Sequence, residues 1–321
     1  MTAKAGLHSH SHDHDRPDSY GPIGVMGSHV HQAGTWMPSY RFMYMDMRGN
    51  RDGAHHVSTG EVLDDFMVSP TNMQVEKHVF GAMYSLTDDL TVMAMFPYIR
   101  KSMRHVNRMG VRFTTRSDGI GDFKLMPLYA FFRKGGHSLH LNAGLSLPTG
   151  SIHKSDNTPT GPDQRLPYPM QLGSGTFDLM PGVTYLGQTE SWSWGVQPMG
   201  TIRLGENSND YTLGNRFNMT AWGSRVWTDW LSTSVRIDGQ VWRNIRGDDP
   251  KLNPRMVPTA DPDRRAGERV DVLFGANLYA PEGRLKGNML SVEGGFPVYQ
   301  SLDGPQLETD WRLTVGWRWA F

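Results

Sequence analysis

Two groups of side chains in this sequence have the type and spacing to do chemistry. The first is the run HSHSHDHD, where His8, His10, His12 and His14 stand at alternate positions. Imidazoles at that density gather Zn(II), Cu(II) or Ni(II), with Asp13 and Asp15 as carboxylate helpers. The plainer reading is a solvated polar tail. The second is methionine, present 20 times. In SYRFMYMDM, Met43, Met45 and Met47 share one strand face with Arg41. Thioethers are soft donors that suit Cu(I), and alternate residues of a strand stand ~7 Å apart. His78 on the next segment, and Met93, Met95, Met103 and His105 on the third, extend the pattern. Together they read as a path for a soft metal ion, with the histidines as collector. Two other readings stay open: methionine as adaptable filler of a narrow interior, or as lining for apolar solutes.

Other chemistries find no support. With no cysteine there are no disulfides and no thiolate metal sites. No Gly-x-Ser-x-Gly, phosphate loop or helix-spaced carboxylate pair occurs, and Ser138 and Ser146 have no histidine arranged as a base, so no catalytic residue is assigned and an enzyme is not expected. Lys+Arg and Asp+Glu are both 32, which leaves no basic stripe for nucleic acid. No cofactor is required; copper or another soft or transition metal ion is what the methionines and histidines could hold.

These residues must be positioned by strands. At the C-terminus, Trp311, Leu313, Val315, Trp317, Trp319 and Phe321 alternate with Asp310, Arg312, Thr314, Gly316, Arg318 and Ala320, a period of two with one apolar and one polar face. The pattern predicts strands near 35–47, 73–85, 90–103, 120–133, 138–148, 176–187, 192–204, 216–227, 231–243, 269–280, 288–299 and 309–321, twelve in all. Short connections such as 87–89, 134–136, 189–191 and 228–230 alternate with long ones at 48–72, 104–119, 149–175 and 244–268. An even strand number with short turns on one rim and long loops on the other is the pattern of bacterial outer-membrane barrels. No run reaches the ~20 apolar residues of a spanning helix. The polar faces carry more charge than a dry core accepts without partners, which favours a wet lumen over a soluble β-sandwich. Arg41, Glu76, Asp122, Lys124, Arg203, Arg236, Asp238 and Arg312 are the predicted lumen residues. Pro97, Pro127, Pro181, Pro198 and Pro297 fall inside strands and predict bulges or shortened pairing. Lys77 falls on the face of Val75 and Val79, expected to be outward, so it must snorkel near the rim or the register slips.

GIGDFKLMPLYAFF (119–132) followed by LHLNAGLSLPTG (139–150) resembles the outer-membrane transporter-like family named MetA-pathway of phenol degradation, in its Gly-x-Gly-Asp strand start and Leu-Pro-Thr-Gly strand end. The resemblance implies a β-barrel channel or transporter of undefined cargo. Gly119, Gly121 and Gly150 would form tight strand ends at the loop rim, and Asp122 would point into the lumen.

The expectation is therefore an all-β protein: one 12-stranded antiparallel transmembrane β-barrel over 35–321, preceded by a disordered His-rich tail over 1–34. It would sit in the bacterial outer membrane. Its partners would be outer-membrane lipid, a small solute or metal ion, and the barrel assembly machinery through the terminal strand ending at Phe321. MTAKAGLHSHSHDHD has no apolar signal-peptide core, so the export signal is expected to have been removed or replaced. The leading function is a channel passing a small solute or metal ion through a narrow, charged, Met-lined lumen. A copper-binding outer-membrane protein and a soluble β-sandwich are the alternatives.

Overall fold

The computed structural model describes residues 16–321. Eleven strands close into one antiparallel ring. They are β1 (Trp36–Gly53), β2 (Val68–Ser85), β3 (Leu90–Asn107), β4 (Phe123–Lys134), β5 (His137–Leu147), β6 (Phe177–Gln188), β7 (Trp192–Leu204), β8 (Arg216–Thr228), β9 (Leu231–Trp242), β10 (Gly267–Tyr279) and β11 (Asn288–Trp319). Two further strands, His55–Val57 and Arg112–Ile120, extend β1 and β3 outside the ring.

The last strand occupies two places. Its 32 residues double back near Gly304 and Pro305. Residues 289–302 pair with β10, and residues 302–318 pair with β1. Between the arms, the Gln300 side chain donates to the Thr309 carbonyl at 2.9 Å and accepts from the Thr309 amide at 2.9 Å. Ala320 likewise donates to the Gly287 carbonyl. Counted by arms, the ring has the twelve places that the alternation predicts. No described helix is long and apolar enough to cross a membrane, and the ring satisfies its backbone groups without one.

The outer face answers the period of two. Trp311, Val315, Trp319 and Phe321 are exposed, whereas Arg318 is 1% exposed and points inward. Aromatic pairs mark two levels. Trp36 with Tyr84 and Trp319 with Phe321 lie at the short-turn rim, and Tyr44 with Trp311 lies higher. Between them Phe80, Phe96, Leu141, Ile237 and Phe274 face outward, the band a barrel offers to lipid. Several proline positions behave as expected. A bulge falls beside Pro297, between Val270 and Asp271 on the partner strand, and the β4–β5 and β6–β7 ladders skip Pro127, Pro181 and Pro198.

The N-terminal boundary moves. His8, His10, His12 and His14 lie outside the described residues, but residues 16–34 run inside the ring rather than as a free tail. Tyr20, Ile23, Val25 and Val30 are buried there. The Pro17 carbonyl accepts from Ser232 Oγ at 2.8 Å and Asn277 Nδ2 at 3.0 Å. The Gly27 carbonyl accepts from His140 Nε2 and Asn142 Nδ2, both at 2.9 Å. The Ala33 amide then returns to Asp88 in a short turn. The segment is thus a loop that dips into the lumen from the short-turn rim and closes that half of the barrel. Gly24 passes so close to the wall that a Cβ would stand 2.2 Å from Glu293 Oε1 and 2.4 Å from Arg236 Nη2. Ile23, Val25, Met26 and Val30 were the available signal, since a solvated tail has no use for them. They carry no strand period, so alternation passes over them.

A closed, fully paired ring resists SDS until heated. The purified protein is expected to migrate differently on a gel before and after boiling, and co-migration of the two samples would contradict ring closure.

Candidate functional site

Above the N-terminal loop lies a cavity of about 540 Å³. The long loops roof it. Tyr168, Tyr211 and Ile245 from three loops form a small apolar cluster with Leu213 and Leu252, and burial raises the pKa of both tyrosines. The Asp249 amide donates to Tyr168 Oη at 3.1 Å. Met26 at the tip of the N-terminal loop is part of the lining below.

The Gly-x-Gly-Asp and Leu-Pro-Thr-Gly segments meet at the edge of this roof and latch it. Asp122 Oδ1 accepts from the Gly150 amide at 2.9 Å and Oδ2 from the Ser174 amide at 2.8 Å. Thr149 Oγ1 donates to the Gly121 carbonyl at 2.8 Å and accepts from the Phe123 amide at 2.9 Å. Gly150 and Gly173 touch backbone to backbone, and a Cβ on Gly173 would stand 2.4 Å from the Gly150 carbonyl oxygen. Burial pushes the Asp122 carboxyl up, against the amide donors that pull it down. Asp122 is part of the cavity lining, and both its oxygens are engaged in holding the loop.

Cross-strand partners share a face, and the register decides which one. Met43 pairs with Lys77, Met45 with Val75, Met47 with Met73 and Arg41 with Val79. Lys77 therefore points inward beside the methionines and needs no snorkelling. Glu76 pairs with Tyr44 and His78 with Phe42, so both face outward, which corrects their assignment to the lumen and to the metal set. His78 Nδ1 and Tyr40 Oη are 2.8 Å apart on that outer face. Glu76 lies nine residues from the rim at Ser85, which for a strand tilted 35–45° is a height close to the top of a ~25 Å apolar band. Arg100 stands 4.0 Å away as its partner.

The remaining predicted residues point inward and fall into two groups. On β9–β11, Arg236 makes a bidentate pair with Glu293 (2.9 and 2.6 Å) and reaches Asp238 at 3.3 Å. Arg312 bridges Asp238 at 2.5 Å and Asp271 at 2.8 Å, and Arg269 meets Asp271 at 3.1 Å. Three arginines balance three carboxylates, so this network is neutral within itself. Arg41 is buried nearby, and its Nε has no hydrogen-bond partner among the described residues. On the other side Lys124 and Arg203 join Lys77 and Lys101 around the cavity; Arg203 is paired with Asp178.

Met43, Met47, Met73, Met95 and Met103 line the same cavity, while Met45 packs beside Met73 and Met103. Met93 and Met126 instead pack around Tyr20 and Val30 of the N-terminal loop, and Met180 does so while also lining the cavity, in keeping with a flexible side chain filling an irregular interior. His105 is stacked on Phe113, ring centroids 4.8 Å apart, under the loops. Among the described residues no three of His, Asp or Glu converge as a metal-binding group, and no histidine is in the cavity lining. Missed by alternation were Arg216, Arg243 and Arg265 and the entire N-terminal loop. Arg265 lies in a long connection, where no period exists to read, and Arg243 closes the predicted strand 231–243 but follows the observed end of β9 at Trp242.

Removing Glu293 leaves Arg236 buried with Asp238 as its one remaining carboxylate. Glu293→Ala is expected to lower folding stability by about 3 kcal/mol, measured by urea unfolding in lipid vesicles; a loss under 1 kcal/mol would contradict the pairing. Asp122→Ala is expected to unlatch residues 150–174 and make them protease-sensitive while the ring stays intact.

The family described as "Putative MetA-pathway of phenol degradation" matches over residues 59–253, more than half the chain. Among solved structures, an outer membrane channel from Pseudomonas putida F1 is 16% identical, with a TM-score of 0.64 over 92% of this chain and 99% of that one. The TodX monoaromatic hydrocarbon channel is 10% identical with a TM-score of 0.48, covering 90% of this chain and 91% of that one. A Pseudomonas aeruginosa FadL homologue is 9% identical with a TM-score of 0.43, covering 89% of both. At 16% identity, the likeness to the first of these shows a shared fold. No curated protein matches the chain.

Proposed function

The chain belongs to the family described as MetA-pathway of phenol degradation, and from that premise we propose that it is an outer-membrane channel that passes a small solute through a lumen narrowed by its own N-terminal loop. The observation that carries the reading is the cavity of about 540 Å³ held between that loop and the roof of long loops, inside a closed ring with an apolar outer band. A chamber of this size between two deformable barriers suits admission of one small solute at a time, discriminated by pore width and lining charge. The roof is made of loops and the floor of a loop, so either barrier can move without disturbing the ladders of the ring. The balanced ion-pair wall keeps the ring rigid while the opposite wall meets the solute.

In planar bilayers the full chain is expected to conduct weakly. Deleting residues 16–33, or wedging the N-terminal loop away from Arg236 and Glu293 with Gly24→Leu, is expected to raise conductance several-fold. If neither the intact barrel nor the deletion conducts, although both run as folded barrels on unboiled gels, the channel reading falls.

A further inference from the structure

The cavity has two unlike surfaces. Thioethers of Met43, Met47, Met73 and Met95, with Val79 and Ile99, form a continuous apolar side. Set into and against it are three lysines and four arginines, with Asp122 and Asp178 as the only carboxylates of the lining. Seven cations against two anions leaves an excess of five positive charges. The two carboxylates are also already committed. Asp122 holds the Gly150 and Ser174 amides, and Asp178 accepts from Arg203, Ser174 Oγ and Thr176 Oγ1.

Three cations stand out. Lys77 sits directly across from Met43 and Lys124 directly across from Met95 in the strand registers. Arg216 lies over the Trp242 ring, 5.5 Å from its centroid, on the facing wall. Among the described residues none of the three has a carboxylate in ion-pair range. Lys101, by contrast, donates to the Pro169 and Gln171 carbonyls of the roof. All three line the same cavity. Lys77 and Lys124 are half-buried and Arg216 is exposed to the cavity, and like charges gathered beside an apolar surface are relieved by a counter-ion that joins them. Chloride would answer the charge but leave the methionine side wet.

On the channel reading above, we propose that this cavity is a binding site for a small organic anion with a flat apolar body, of the aromatic carboxylate class. Its carboxylate would lie among Lys77, Lys124 and Arg216. Its ring would rest on the methionine side, where sulfur–aromatic contacts are favourable. A volume of about 540 Å³ falls within the ~300–1,000 Å³ of small-molecule sites, enough for one such ligand with water.

The probe is benzoate, titrated calorimetrically into the full-length barrel in detergent, with benzamide (ring without charge) and acetate (charge without ring) as comparators. Benzoate is expected to bind at least ~10-fold more tightly than either. The double variant K77Q/K124Q is expected to weaken benzoate at least ~10-fold and leave benzamide unchanged. Heat-modifiable gel mobility checks that the variant folds, and R216Q on the opposite wall provides a second variant. Benzoate no tighter than benzamide, acetate as tight as benzoate, or K77Q/K124Q binding benzoate as the parent does would each overturn the proposal. Binding without bilayer conductance would keep the site and remove the channel. Conductance without benzoate binding would do the reverse.

Discussion

Pairing of β1 with the second arm of β11 is the constraint from which the other features follow. In hydrocarbon an open sheet edge leaves a row of amides and carbonyls with neither water nor partner. The ladder running from Ser39 opposite Arg318 to Gly53 opposite Leu302 removes that edge. Once the ring is closed, each side chain faces either lipid or lumen, and the period of two assigns it. The exposed tryptophans of the terminal strand and the buried Arg312 and Arg318 are two consequences of one geometry.

Closure also creates an interior that must be filled or hydrated. This barrel does both, on different sides and at different heights. Near the short-turn rim, residues 16–34 occupy the lumen, and methionines mould themselves around Tyr20 and Val30. Backbone carbonyls of that loop meet donors on the wall, so the segment is bound by specific hydrogen bonds as well as by burial. On β9–β11 six interior side chains, three arginines and three carboxylates, neutralise one another. Such a network costs desolvation that its internal pairing offsets, and its multiple partners fix side-chain positions.

The remaining space lies where neither solution applies. There the cations of the lining outnumber its carboxylates, and thioethers form the other side of the space. The network on β9–β11 balances its charge and this space does not, and the latch formed by Asp122, Thr149, Gly150 and Ser174 keeps the roof over it.

Much of the fold was legible in the sequence, because alternation is a local property: six residues such as Trp311, Leu313, Val315, Trp317, Trp319 and Phe321 declare their face without reference to any neighbour. Strand positions, the long–short order of connections and the inward placement of Arg236, Asp238 and Arg312 follow from it. The glycine-rich motifs also marked a functional edge, although their role as a loop latch needed coordinates. What the sequence could not decide was which of two charged faces turns inward. In β2, Lys77 opposes Glu76 and His78, both faces carry charge, and only the pairing of Met43 with Lys77 settles the matter. The N-terminal loop was hidden for a related reason. Its hydrogen bonds run to residues tens to hundreds of positions away, such as Gly27 to His140. Local pattern fixes what a strand does by itself; register, and what fills a closed ring, depend on which strands meet, and that is decided only when the whole chain has folded.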